Sequence, residues 1–256
     1  SDAIKCGNAD VIVAGGQENM TMAPHLLENS RSGLRMGPSS MTDSMIKDGL
    51  WDPYNNIHMG NCAEICAKEY NFSREAQDEF AIQSYKKAIK ANEEGAFKKE
   101  IVGLEVQQGK QTVLIDKDEE PFKAKFEKIP ELKPAFDKAG TVTAANASKI
   151  NDGGAALVLT SEDYSKTQNL KPIAKIVSYA SFAQEPKWFT TAPRGAIEKA
   201  LARAGLKASD IDLWEINEAF AIVTMAAIKD LNLSGDRVNI HGGAIAIGHP
   251  IGASGA

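Results

Sequence analysis

Residues 248–255 read Gly-His-Pro-Ile-Gly-Ala-Ser-Gly, so His249 is held among glycines shortly after an apolar run at 238–240. Glycine lets a backbone turn sharply and approach a ligand closely, and Pro250 stiffens the turn, so the imidazole is offered at a fixed place at a strand's carboxyl end. An imidazole near its ordinary pKa of about 6.5 works as a general base at neutral pH. The plainer alternative is a glycine-rich turn with an incidental histidine. Two competing signatures fail on the letters. A nucleophile elbow needs Gly-x-Ser-x-Gly, whereas residues 252–256 read Gly-Ala-Ser-Gly-Ala, and neither a phosphate loop nor a Gly-x-Gly-x-x-Gly fingerprint occurs.

Three further segments carry groups capable of chemistry. Asn217-Glu218-Ala219-Phe220 lies where a strand pattern hands over to a helix pattern, and polar groups there can hold a water or an oxyanion beside unpaired helix N–H groups. The alternative makes Asn217 an N-cap and Glu218 a first-turn carboxylate favoured by the helix dipole. His58-Met59-Gly60 precedes a short helical pattern containing Cys62, Glu64 and Cys66. That cysteine spacing is not a zinc-knuckle arrangement and the fourth ligand is missing, so no metal site is expected and the cysteines read as small helix hydrophobes. Residues 140–148, Gly-Thr-Val-Thr-Ala-Ala-Asn-Ala-Ser, are small enough to line a narrow channel or to form an ordinary tight loop.

These groups must be positioned by the surrounding elements. Ile4 and Lys5 end a helix at Gly7, and the buried-strand run 11–14 closes on Gly15-Gly16. Residues 17–58 show no clean periodicity and read as a long functional excursion. From the N-cap Ser73, the positions Phe80, Ala81, Ser84, Tyr85, Ala88 and Ile89 predict an amphipathic helix ending at Gly95. A strand pair is expected at 101–106 and 112–115 around Gln108-Gly109, then an exposed charged loop over 116–134. Strands at 155–159 and 173–179, a helix over 196–204 stopped by Gly205, a strand at 213–216, a helix at 220–231 and a strand at 238–240 complete a βαβ rhythm. That rhythm predicts a parallel sheet with covering helices. Seams fall near 19–23 and 140–151.

The 256 residues are 43% apolar and carry a net charge of −5. A sizeable core is therefore available, and there is no basic surplus to neutralise nucleic acid or an anionic bilayer. No apolar run approaches the roughly 20 residues of a spanning helix. Three cysteines make no disulfide framework and suit a reducing compartment, so a cytoplasmic location is expected. The start at Ser1 and the stop within a glycine pattern read as an internal piece of a longer chain.

Together the four segments resemble the thiolase family. The family's Gly-His-Pro-x-Gly-x-Ser-Gly block corresponds to residues 248–255, its Asn-Glu-Ala-Phe block to 217–220 and its Gly-Asn-Ala-Ser region to 145–148; Val-Ala-Gly-Gly at 13–16 is similar to the strand after the family's nucleophile helix. His58-Met59-Gly60 resembles the biosynthetic, short-chain branch. The resemblance implies an α/β fold of thiolase-like layered αβαβα architecture with an inserted loop domain and an incomplete N-terminal half. Its domains would be 1–21 with 150–170, the loop insertion 22–149 and the C-terminal half 171–256.

The resemblance further implies acyl transfer that condenses two acetyl-CoA to acetoacetyl-CoA and CoA through a cysteine acyl-enzyme. A degradative 3-ketoacyl-CoA thiolase and a non-catalytic CoA- or lipid-binding module are the alternatives. His249 would activate the nucleophile and Asn217 would hold the oxyanion-hole water. His58, Met59, Ser148, Ala219, Phe220, Leu50 and Phe136 would line the coenzyme A arm, with Phe122 and neighbouring lysines near the nucleotide and Trp188 and Phe189 limiting chain length. No cofactor beyond the substrate coenzyme A is implied, and the assembly would be a homodimer or homotetramer. The family's nucleophilic cysteine precedes the Val-Ala-Gly-Gly strand by more than Cys6 does, and its second cysteine lies in a Cys-x-Gly-Gly-Gly block that does not occur here. On that ground this chain alone is expected to be inert and, with Val11, Val13, Leu157 and Leu159 short of cover, to aggregate or stay molten.

Overall fold

The first strand pattern does form a strand, but its partner is antiparallel. In the computed structural model, which describes residues 1–256, β1 (Val11–Glu18) pairs with β8 (Gly153–Thr160) from Val11 opposite Thr160 to Glu18 opposite Gly153. The chain divides into two compact units, one of Ser1–Leu50, Ile150–Tyr179 and His249–Ala256, the other of Trp51–Lys149 and Ala180–Gly248.

In the first unit, α1 (Asp2–Lys5) ends before Gly7, whose φ of 73° is the left-handed conformation read from the sequence. The excursion after β1 is built from the hairpin of β2 (His25–Leu27) with β3 (Met41–Asp43) and a single π turn, Met45–Gly49. Helix α5 (Glu162–Thr167) is capped by Ser161, whose hydroxyl accepts the Tyr164 N–H. The strand expected at 173–179 finds no ladder partner and runs as irregular chain. The two-stranded ribbon leaves apolar side chains in solvent, with Val13 72% and Leu157 53% exposed. Leu159, expected to lack cover as well, is half-buried. Each large apolar side chain left in water forfeits about 1.5–3 kcal/mol of burial. The isolated chain should therefore unfold in a broad, low-temperature transition and scatter light on heating; a single sharp, reversible transition would contradict this.

The second unit holds the core. After the short ribbon of β4 (Trp51–Asp52) and β5 (Ile57–His58) come α2 (Met59–Tyr70) and α3 (Arg74–Glu93). Ser73 caps α3 by accepting the Ala76 N–H, and Ala81, Ser84, Tyr85 and Ala88 are its buried stripe. β6 (Leu104–Gln108) and β7 (Gln111–Ile115) form the expected hairpin, starting later than the apolar pattern and turning at Gly109. The segment 116–134 is not a plain exposed loop: it contains α4 (Glu120–Lys123) and a 3-10 stretch, and both Pro121 and Ile129 are buried. Helix α6 (Ala192–Ala204) stops at Gly205, φ 69°. Helix α7 (Ala221–Asp230) is buried nearly all round, which suits its apolar composition. Ile222, Val223 and Ala226 pack on α2, Ala221 packs with α3 and α8 (Ala244–Ile247), and Ala227 packs with Trp214, Ile216 and Val238.

The parallel sheet expected from the βαβ rhythm is not what the ladders show. All four ribbons are antiparallel, and the one parallel contact is the bridge of Trp214 with Val238, each expected strand shrinking to one paired residue. Periodicity reports which faces are buried, whereas direction depends on which strands become neighbours.

Candidate active site

The small-residue segment 141–148 is held by side chains from two helices. The Glu64 carboxylate on α2 accepts the N–H groups of Thr141 and Val142 at 2.9 and 2.8 Å, as well as the Thr141 hydroxyl. On α3, Asp78 pairs with Arg74 at 2.7 Å and accepts from the Asn146 amide at 3.0 Å. Asn146, fully buried, accepts the Thr143 N–H at 2.8 Å. Beyond this knot the chain pairs with the start of α7: the Ser148 N–H donates to the Ala219 carbonyl at 3.0 Å and the Ala221 N–H to that of Asn146 at 2.8 Å. Ser148 is thereby fixed beside Ala219 and Phe220.

An aromatic wall adjoins this pairing. The His58 ring stacks on Phe136 with centroids 4.7 Å apart, and Phe136 meets Phe220 edge-on at 6.1 Å. Gly60 permits the stack, because a Cβ there would fall 2.3 Å from the Phe136 ring. His58 is also the N-cap of α2: its Nδ1 accepts the Gly60 N–H at 2.9 Å, so the ring proton sits on Nε2. Burial pushes its pKa below the usual histidine value, so at neutral pH it is an uncharged donor. Met59 and Ala219 pack against the same cluster as Phe136 and Phe220.

Asn217 neither caps α7 nor lies in its first turn. The helix begins at Ala221 with Phe220 at the N-cap position, and burial alternates from Trp214 to Glu218, leaving Asn217 exposed and Glu218 buried. Glu218, which the sequence offered as a dipole-favoured carboxylate, instead accepts from the Ser84 hydroxyl at 2.6 Å, the Asn239 amide at 2.8 Å and the Ile245 N–H at 3.2 Å. Burial raises its pKa against the pull of these three donors. Asn239 also clamps Ile216, donating to its carbonyl and accepting its N–H, both at 2.8 Å. This knot fixes both ends of the Asn217 segment. Ser84 was legible only as one of the small positions on the helix stripe, and nothing in the sequence pointed to Asn239.

In the first unit, His249 sits on the block that packs against the end of β1. A Cβ on Gly16 would lie 1.8 Å from the Gly252 carbonyl oxygen, and the Gly252 N–H donates to Glu18 at 3.2 Å. These contacts require glycine and fix the turn. His249 Nδ1 lies 2.8 Å from Ser254 Oγ, whose hydroxyl donates to the Pro250 carbonyl at 3.1 Å. With that one hydroxyl proton committed, Oγ accepts from Nδ1–H, which places the imidazole lone pair on Nε2. Burial lowers the His249 pKa, keeping the ring neutral and basic at pH 7. Leu50, which the resemblance places along the coenzyme A arm, is half-buried at the end of the π turn.

None of the three cysteines is set up as a nucleophile. Cys62 and Cys66 are fully buried on α2, and burial pushes the Cys62 thiol up to about 11 and raises that of Cys66. Cys6 is exposed after α1.

Residues 1–163 match the thiolase N-terminal domain and residues 170–256 the thiolase C-terminal domain, so this chain belongs to the thiolase family. It is 52% identical to an acetyl-CoA acetyltransferase of Yarrowia lipolytica, covering 100% of this chain and 64% of that protein. It is 51% identical to one of Cupriavidus necator over 100% of this chain and 65% of the relative. Among solved structures, a thiolase from Ascaris suum in complex with coenzyme A superposes with TM-score 0.94 at 46% identity, covering 99% of this chain and 65% of that one. The Bacillus anthracis acetyl-CoA acetyltransferase gives 0.94 at 41%, over 99% and 64%. The chain thus spans just under two thirds of the relatives it matches.

Proposed function

We propose that the whole protein condenses two acetyl-CoA molecules to acetoacetyl-CoA and coenzyme A, and runs the reverse thiolysis. The observation that carries this reading is the match to acetyl-CoA acetyltransferases over the whole chain, 52% identity over 255 residues in one case, a span that takes in every segment of the site. In this reading a cysteine thiolate, outside the three described here, attacks the acetyl thioester. CoA leaves with a proton returned by His249 Nε2, which had taken it from the cysteine, and a water on Asn217 supports the oxyanion. A second cysteine, that of the family's Cys-x-Gly-Gly-Gly block, takes the α-proton of a second acetyl-CoA, and the resulting carbanion attacks the acetyl-enzyme, forming the carbon–carbon bond and expelling the nucleophilic cysteine as its thiolate. The His58 Nε2–H and the Ser148 hydroxyl supply donors to the amides of the pantetheine arm, against the apolar Met59, Phe136 and Phe220.

Coenzyme A and its acetyl thioesters are the small-molecule partners of this proposal. A homodimer or homotetramer, a cytoplasmic location, and a split N-terminal half flanking the 22–149 insertion belong to it as well. The aromatic wall and the bulky Trp188 and Phe189 favour short acyl groups. With a panel of 3-ketoacyl-CoA thioesters, kcat/KM should fall at least tenfold from four carbons to eight, since a positioned methylene that does not fit costs about 1–3 kcal/mol. A flat or rising series would instead support the degradative reading.

A further inference from the structure

The turn that presents Ser148 contains two backbone carbonyls, those of Ala144 and Ala147, that converge on one point. The Lys149 ammonium occupies it: Nζ donates to the Ala144 carbonyl and, at 3.3 Å, to that of Ala147. The same ammonium lies 5.5 Å from the centre of the Tyr85 ring on α3. The Lys149 backbone is tied separately, its N–H donating to the Ala244 carbonyl at 3.4 Å. Converging carbonyl dipoles repel one another unless a cation or donor stands between them, and a charged donor does this more strongly than a neutral one.

We propose that Lys149 is a positioning residue, its ammonium clasping the carbonyls of Ala144 and Ala147 over the Tyr85 ring so that the turn holds Ser148 in place for the pantetheine arm. The inference deepens the acyl-CoA reading and rests on it for the ligand. The charged neighbours facing the ammonium are few. Glu120 on α4 favours the cationic form, and Tyr85 stays neutral because burial, Glu120 and Glu218 all raise its pKa. Burial pushes Lys149 down to about 8, so the clasp is charged at pH 7 and discharges a little above it. A lysine whose pKa falls when the turn closes over it contributes a stability term that improves as pH rises from about 8 towards 10.5, so closure of the turn is favoured in that range.

The test is backbone amide hydrogen exchange of the Ser148 turn at pH 7, alongside calorimetric titration with coenzyme A, in the parent, Lys149→Met and Lys149→Arg. Lys149→Met should speed exchange at Ser148 about tenfold and weaken coenzyme A binding about fivefold or more, with Lys149→Arg within about threefold of the parent in both. In the parent, exchange of the turn should rise between pH 7 and 9 by less than the intrinsic base-catalysed factor, because closure of the turn releases the Lys149 proton in that range. That series needs no substitution, and so decides the matter even if Lys149→Met does not fold. Unchanged protection in Lys149→Met, or a parent pH series that follows the intrinsic rate alone, overturns the proposal. A parent that binds no coenzyme A at all contradicts the acyl-CoA reading instead, and the exchange data still decide whether Lys149 holds the turn.

Discussion

Replacing His249 with alanine lowers turnover of the whole protein at least about a hundredfold, the usual reach of a positioned acid or base, with a smaller change in KM. The expectation follows from how the imidazole is held. Ser254 Oγ accepts a hydrogen bond from Nδ1–H and its own hydroxyl donates to the Pro250 carbonyl, so Nε2 carries the lone pair, and the close approach of Gly16 to Gly252 fixes the backbone beneath. Activity within threefold of the parent would refute the role. The pH profile is a second check. Burial holds the His249 pKa below 6.5, so the base is already deprotonated at neutral pH and the acidic limb of kcat/KM falls below pH 6.5. A limb at or above 7 would mean that a different group is titrating. The linked stability term has the matching sign: it is present above about 6.5 and is lost as pH falls through the lower folded-state value.

Glu218→Ala should be the most destabilising single substitution in the second unit. It strips the partner from the Ser84 hydroxyl, the Asn239 amide and the Ile245 N–H at once, in a place where the carboxylate is 1% exposed. A buried donor left without an acceptor costs about 1–3 kcal/mol, so three together amount to about 3–9 kcal/mol against a net stability of about 5–15. Thermal denaturation of the whole protein should show a fall in Tm of about 10 °C or more. Glu218→Gln should lie between variant and parent, because its amide oxygen can serve only part of the donor set. A drop of less than 2 °C for Glu218→Ala would show that the knot contributes little. Because the same network brackets Asn217, residual folded variant should also lose turnover while keeping its affinity for coenzyme A.

Much of the positioning framework was legible in the sequence. Helix α3 carries both a side-chain cap at Ser73 and a stripe of small and aromatic residues, and α6 ends where only a left-handed glycine fits, so local chemistry and burial agree there. His58, Met59, Ser148, Ala219 and Phe220 were readable because blocks of fixed letters mark them, and the structure gathers them around one aromatic wall. Strand direction was not legible. The run 11–14 has the apolar density of a buried parallel strand, yet it pairs antiparallel with residues more than a hundred positions away, and no local signal encodes that partner. Glu218 was misplaced for a related reason. An Asn-Glu pair before an apolar helix carries the same letters as a capped helix start, and only the three-dimensional return of Ser84 and Asn239 makes the carboxylate a buried acceptor. The charged stretch 116–134 hid Pro121 and Ile129 because single apolar anchors among lysines and glutamates leave no periodicity to detect.

The most direct test of acetyl transfer is an assay of the whole protein with acetoacetyl-CoA and free coenzyme A, following formation of acetyl-CoA and, in parallel, covalent acetylation of the protein by mass spectrometry. Saturable thiolysis accompanied by one acetyl group per chain on a cysteine other than Cys6, Cys62 and Cys66 is the expected result. Coenzyme A binding with no thiolysis and no acetyl adduct would contradict it, and would make this member of the thiolase family a binding module instead of an acyltransferase.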